Sequence, residues 1–102
     1  MHFRGKDMTL TAILPGGRKQ TLLSVPKYDF NWQLYYFPQN PVPLPRGTVI
    51  EAVSHYDNSA DNPRNPSRPP VPVRWGEQST DEMGAIGLQV IADRPEDLQQ
   101  LQ

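Results

Sequence analysis

The sequence predicts an all-β chain of five or six short strands, arranged as a sandwich or a barrel. Three observations carry that prediction. Several short runs alternate apolar and polar residues, as a strand with one buried face does. Gly- and Pro-rich turn signals separate those runs. The one stretch with helix-start chemistry, Ser79-Thr80-Asp81-Glu82, leads into Gly84 and Gly87, which weaken a helix.

The elements follow in order. Met8 to Leu14 alternates and stops at Pro15-Gly16-Gly17, and Gln20 to Val25 resumes the pattern. The two runs read as a hairpin, because glycine supplies the positive φ of a tight turn. Pro26 ends the second strand, since it has no N–H to give a ladder. Phe30 to Phe37 alternates again, with Phe30, Trp32, Leu34 and Tyr36 on one face. Pro38, Pro41, Pro43 and Pro45 mark an extended connector. Thr48 to Tyr56 has the strongest strand pattern, and Ile50, Ala52, Ser54 and Tyr56 are expected to face the core. Residues 57–72 form a long loop with five prolines. Loops beyond ~12–15 residues are uncommon unless they are functional or disordered. Val73 to Gly76 reads as a short strand or bridge, and Met83 to Ile91 as a final strand. Residues 94–102 read as a frayed end or one weak helical turn. Residues 1–90 are expected to form one unit and 91–102 a polar tail. The chain opens directly into a strand-like run, which suggests a partial domain lacking its first strands.

Composition excludes several chemistries. Ten Lys and Arg balance eleven Asp and Glu, for a net charge of −1. That balance removes the general electrostatic case for nucleic acid or an anionic membrane, and neither is expected as a partner. The chain has no cysteine, so disulfides, thiolate metal sites and Cys nucleophiles are out. Its 12 prolines and 7 glycines stay below the roughly 25–30% that signals wholesale disorder. No apolar run approaches the ~20 residues of a membrane span.

Few residues offer chemistry. His2 and His55 are the two histidines. A Ser54–His55–Asp57 site fails, because adjacent strand residues point to opposite faces. The Asp57 to Asn62 run is rich in oxygen ligands, but its spacing fits no calcium loop, and Asx turns explain it. Trp32, Tyr35, Tyr36 and Phe37 read as core aromatics before a stacking platform. Met83 stands after a polar turn at the mouth of a predicted strand. Its thioether either fills a gap in the core or acts as a soft ligand for Cu(I).

His2-Phe3-Arg4-Gly5-Lys6-Asp7-Met8 and Gln78-Ser79-Thr80-Asp81-Glu82-Met83 resemble two segments of the C-terminal domain of the copper type II, ascorbate-dependent monooxygenases. Peptidylglycine- and dopamine-hydroxylating enzymes are the known members. Leu23 to Gln33 and Ser54 to Ser59 are most similar to bacterial relatives of that domain, which often occur in larger extracytoplasmic chains with haem or thioredoxin-like modules. The resemblance runs to about Val90. It implies an antiparallel, jelly-roll-like β-sandwich lacking its first strands. It also implies one copper, held by a His-x-His pair and a distant Met. His2 matches the second His of the pair, and Met83 matches the Met. The first His would fall immediately before Met1, as in a truncated chain or a start codon read inside a His-Met-His motif.

The departures are specific. The family's second copper sits on a separate N-terminal domain with three His, which this sequence does not supply. Peptide-hydroxylating members hold their substrate with an Asn two residues after the Met and a Tyr four after it. Here those positions are Ala85 and Gly87, so peptide amidation does not carry over. His55 matches no ligand.

The resemblance implies a copper cofactor with ascorbate as reductant, and O₂-dependent hydroxylation in the complete protein. The 102-residue chain by itself is expected to be inert. Its partners would be the missing N-terminal copper domain or other fused modules, and its location extracytoplasmic, periplasmic or secreted. Two rival readings stand beside this one. The first is a non-catalytic β-sandwich interaction module that uses the 57–72 loop and an exposed sheet edge. The second is a copper-storage or delivery domain. Chelation of Cu(II) by the Met1 amine, the Met1–His2 amide and the His2 ring would mimic function without any fold.

Overall fold

A computed structural model describes residues 1–101. Three strands, β1 (Gly5–Ile13), β2 (Lys19–Val25) and β3 (Val49–Tyr56), form one antiparallel sheet in the order β2-β1-β3. A 3-10 helix covers Pro95–Leu101. The chain is all-β, as its alternation predicts.

The hairpin forms where the turn chemistry placed it. Gly16 and Gly17 have φ of 95° and 91°, a region that side chains with a Cβ rarely enter. Leu14 N–H donates to Arg18 O over 2.8 Å, and Gly17 N–H donates to Leu14 O over 2.9 Å. Two irregularities interrupt the ladders. Leu10 lies opposite Leu23 while Thr11 lies opposite Thr21, so Leu22 is the extra residue of a bulge. Gly5 lies opposite Tyr56 while Asp7 lies opposite His55, so Lys6 is the extra residue on the other side.

Burial centres on the middle strand. Leu10 and Ala12 are the buried hydrophobic residues among those described. Leu10 is flanked by Leu23 and Ala52, and Ala12 by Gln20 and Ile50. Of the β3 face expected to point inward, Ile50 and Ser54 are half-buried, whereas Ala52 and Tyr56 are exposed. Two flanking strands cover β1, but β3 has a neighbour on one side only.

Two expected strands do not form. Residues 30–37 leave a turn, in which Trp32 N–H donates to Asp29 O over 3.0 Å and Asn31 N–H to Asp29 Oδ1 over 2.9 Å, and then run as coil. Residues 83–91 are likewise coil. Residues 30–37 alternate and 83–91 are largely apolar, yet neither run pairs with a strand, and a run without a ladder partner leaves backbone groups to water. The described residues therefore contain three strands rather than five or six. The short bridge expected at 73–76 does form: Trp75 pairs with Glu82 in parallel. The expected helical turn near the end is the 3-10 helix, with Arg94 reaching both carboxylate oxygens of Asp97 at 3.3 Å.

The long loop is ordered by its asparagines. Ser59 N–H, Arg64 N–H and Ser67 N–H donate to the side chains of Asp57, Asn62 and Asn65, each two residues earlier. These are the Asx turns that the composition predicts. Asn62 and Asn65 are buried, an unusual place for their residue type.

Candidate functional site

The first residues do not fray. They hydrogen-bond a strap, residues 74–84, that includes Met83. The strap is folded back on itself by Glu82 N–H donating to Arg74 O and Gly76 N–H donating to Glu82 O, both over 3.2 Å. A Cβ built on Gly84 would lie 2.9 Å from Tyr56 Oη and 3.7 Å from Ser54 Oγ, so the strap rests against the end of β3.

Three consecutive strap residues hold the N-terminal segment. Thr80 O accepts from Arg4 Nη1 over 2.8 Å. Asp81 O pairs with His2 Nδ1 over 3.0 Å. The Glu82 carboxylate accepts the backbone N–H of His2 over 2.6 Å at Oε2 and that of Arg4 over 2.7 Å at Oε1. Hydrogen bonds to an ionised acceptor are short and strong, as these two are.

The Asp81 contact places a proton on Nδ1 of the His2 ring. A carbonyl oxygen only accepts, so Nδ1 carries the proton that is donated. In the neutral imidazole Nε2 then keeps its lone pair. Metal-bound histidines commonly have one ring nitrogen fixed by a backbone carbonyl in this way, with the other nitrogen as the ligand. His2 is buried, and Phe30 stands edge-on to its ring with centroids 5.5 Å apart. Phe30 also packs edge-on against Phe3 at 4.6 Å.

Arg4 is the largest fully buried side chain, 1% exposed. Its Nε donates to Asn58 Oδ1 over 2.9 Å, and Nη2 lies 3.5 Å from Ser67 Oγ. No ion pair of the described residues includes it. Oxygens of neutral groups meet its charge instead. Asn58 Oδ1 also accepts from Asn65 Nδ2 over 3.0 Å, and Asn58 Nδ2 donates to Val71 O over 2.9 Å. The guanidinium thereby ties the N-terminal segment to both the long loop and the strap.

Burial sets the titrations around this cluster. It pushes the Met1 amine below its ordinary value, with Glu82 opposing. It pushes the Tyr28 and Tyr56 hydroxyls up, and the Glu82 carboxylate adds to both. Tyr28 Oη donates to Met1 O over 2.5 Å.

Of the two residues proposed from sequence, His2 is held by Asp81 and Glu82, and Met83 is the next residue of the strap, half-buried. The described residues contain no group of three or more His, Asp or Glu that could hold a metal. His55 lies elsewhere: its Nδ1 donates to Asp7 Oδ1 across β1 and β3 over 2.5 Å. Ser54 Oγ lies on the other face, beside Gly84, so the Ser54–His55–Asp57 arrangement does not form. An open depression of about 420 Å³ lies beside the strap, bounded by Ser67, Val73, Arg74, Thr80 and Asp81.

Sequence reasoning missed Glu82, Arg4 and Asn58. Glu82 carried a signal in the Ser79–Glu82 spacing, which marks a carboxylate that reaches backbone N–H groups. The groups it reaches belong to residues about eighty positions away. No family model, curated protein or solved structure matches this chain.

Proposed function

We propose that the chain is the mononuclear-copper domain of an ascorbate-dependent monooxygenase-like protein, part of a jelly-roll-like antiparallel sandwich. His2 and Met83 are its protein ligands in this sequence. The observation that carries the reading is the Nδ1–H bond from the buried His2 ring to Asp81 O, two residues before Met83. The donor set suits Cu(I): an imidazole whose Nδ1 is bonded to Asp81 O, and a soft thioether on the adjoining strap. Copper, when bound, would supply the O₂ chemistry of hydroxylation, with ascorbate as the reductant. The chain's own residues orient the imidazole, hold the strap and keep the ring away from bulk water. Two protein donors make a weak site, so the chain alone is predicted to bind Cu(I) without turning over. A third donor and a second copper would come from upstream chain or fused modules, in an extracytoplasmic setting.

Competition against a colorimetric Cu(I) chelator tests this. Wild-type chain is expected to withhold one Cu(I) from a weak competitor, and His2→Ala and Met83→Ala are each expected to hold it less tightly. Equal affinity in all three proteins would refute the reading.

A second reading, the interaction module, is favoured by one observation. The chain exposes 8225 Å², whereas a compact monomer of 11.6 kDa exposes about 5,800 Å². Its radius of gyration is 16.6 Å against about 13 Å for a compact domain of this length. Trp32, Tyr35, Phe37, Trp75 and Ile91 are all at least 69% exposed. The excess, about 2,400 Å², is well above the ~800 Å² that one partner buries in a standard interface. Sedimentation with and without Cu(I) separates the readings: metal-independent association without any Cu(I) retention would favour the module.

A further inference from the structure

We infer that Glu82 is the positioning residue of the proposed copper site, and that it acts by clamping the backbone of His2 to the strap that carries Met83. The inference rests on the copper reading given above and adds to it a residue that is no ligand.

The geometry carries it. One carboxylate accepts two N–H groups, from His2 at 2.6 Å and Arg4 at 2.7 Å, through its two separate oxygens. These N–H groups lie two residues apart, and Phe3 between them turns its ring to Phe30. The clamp therefore fixes the backbone on the N-terminal side of both His2 and Arg4. The same residue is bound at its own backbone on both sides, N–H to Arg74 O and C=O to Gly76 N–H. Glu82 is thus immobilised at backbone and side chain together, and its peptide neighbour is Met83. The neighbouring carbonyls complete the register: Asp81 O holds the His2 ring, and Thr80 O holds the Arg4 side chain. Slippage of the strap by one residue would break all four contacts at once.

The chemistry also requires a carboxylate. Both groups facing the side chain are donors, so the side chain must be an acceptor at both atoms. Glutamine offers one acceptor and one NH₂. It keeps one bond and sets a donor against a donor at the other. Aspartate keeps the charge but is shorter by one methylene, so it reaches one N–H at a time. Outer groups of this kind typically alter metal affinity by about 10–100-fold when they are removed.

The test uses the whole 102-residue chain as wild type, Glu82→Gln, Glu82→Asp and Asp7→Asn. Asp7 pairs with His55 away from the strap and serves as the control. Cu(I) affinity is read by chelator competition, and the His2 tautomer by imidazole ¹⁵N NMR on metal-free protein. The expected result is a wild-type ring with its proton on Nδ1 and measurable Cu(I) retention. Glu82→Gln is expected to mix tautomers and to weaken Cu(I) about 10–100-fold. Glu82→Asp should fall between, and Asp7→Asn should match wild type. A wild-type ring on Nδ1 with wild-type Cu(I) affinity in a folded Glu82→Gln overturns the positioning role and leaves the copper reading intact. No Cu(I) retention in wild type overturns both. If Glu82→Gln does not fold, Glu82→Asp decides: unchanged tautomer and affinity there overturn the role.

Discussion

Arg4 Nε donates to Asn58 Oδ1 over 2.9 Å, joining residues 54 positions apart inside the protein. With Leu10 and Ala12 the buried apolar residues described, this polar contact helps organise the end of the sheet that the apolar core does not reach. Buried polar groups stabilise a structure only when each is satisfied, and no buried side-chain N or O among the described residues lacks a partner.

Arg4→Met tests that network. The substitution keeps much of the side-chain volume but leaves Thr80 O without its donor and Asn58 Oδ1 with one donor in place of two. A loss of about 2–4 kcal/mol is expected, the range for stripping partners from a buried cluster. Urea unfolding measures it, and a midpoint equal to wild type would contradict the account.

Asn65 gives a sharper comparison. Its Nδ2 donates to Asn58 Oδ1 and Ser59 O, and its Oδ1 accepts from Ser67 N–H. Asn65→Ala removes these bonds. Asn65→Asp instead sets a carboxylate oxygen against two oxygen acceptors. The aspartate variant is therefore predicted to be less stable than the alanine variant, by about 1 kcal/mol or more at neutral pH, and to recover relative to it when acid protonates the carboxyl. Parallel urea titrations at neutral and acid pH read both effects.

A Cβ at Gly84 would press on the hydroxyl end of the Tyr56 side chain. A methyl there would sit 2.9 Å from Tyr56 Oη. Gly84→Ala is expected to cost about 1–2 kcal/mol, in line with overpacking at a tight contact. Tyr56→Phe removes the opposing oxygen, so adding it to Gly84→Ala should recover most of the loss. A double-mutant cycle with no coupling would contradict this packing of strap on sheet.

Alkaline pH has a defined sign. Burial, with Glu82 next, raises the Tyr28 and Tyr56 hydroxyls above their ordinary 10.0. The unfolded chain then ionises these tyrosines before the folded chain does. Their contribution is intact below about pH 10 and is lost as pH rises through the folded values. Tyr28→Phe combined with Tyr56→Phe should flatten the alkaline decline in thermal midpoint. An equally steep decline in the double variant would assign it to other groups.

Much of the sheet was legible because its signals are local. Pro15-Gly16-Gly17 specifies a turn through backbone conformation alone, and Val49–Tyr56 has enough alternation to be read without knowing its partner. The Asp57 to Asn62 run announced Asx turns for the same reason. Phe30–Phe37 and Met83–Ile91 misled because a strand also needs a neighbour, and neighbours are not written in the segment itself. The residues of the proposed site, His2 and Met83, were chosen from sequence, but the contacts that hold His2 to the strap were not legible there. Arg4, Asn58 and Asn65 are residue types that usually face water, so their burial follows from long-range pairing that composition does not encode. At Glu82 the capping chemistry was legible, whereas its targets, the N–H groups of His2 and Arg4, depend on how the chain ends meet.

The most direct test of the proposed copper site is X-ray absorption on the Cu(I)-loaded chain beside its Met83→Ala variant. A copper–sulfur shell with imidazole nitrogen is predicted in wild type, and loss of the sulfur shell alone is predicted in the variant. Identical spectra with nitrogen ligands only would contradict the His2–Met83 site and leave chelation at the chain's first residues as its copper chemistry.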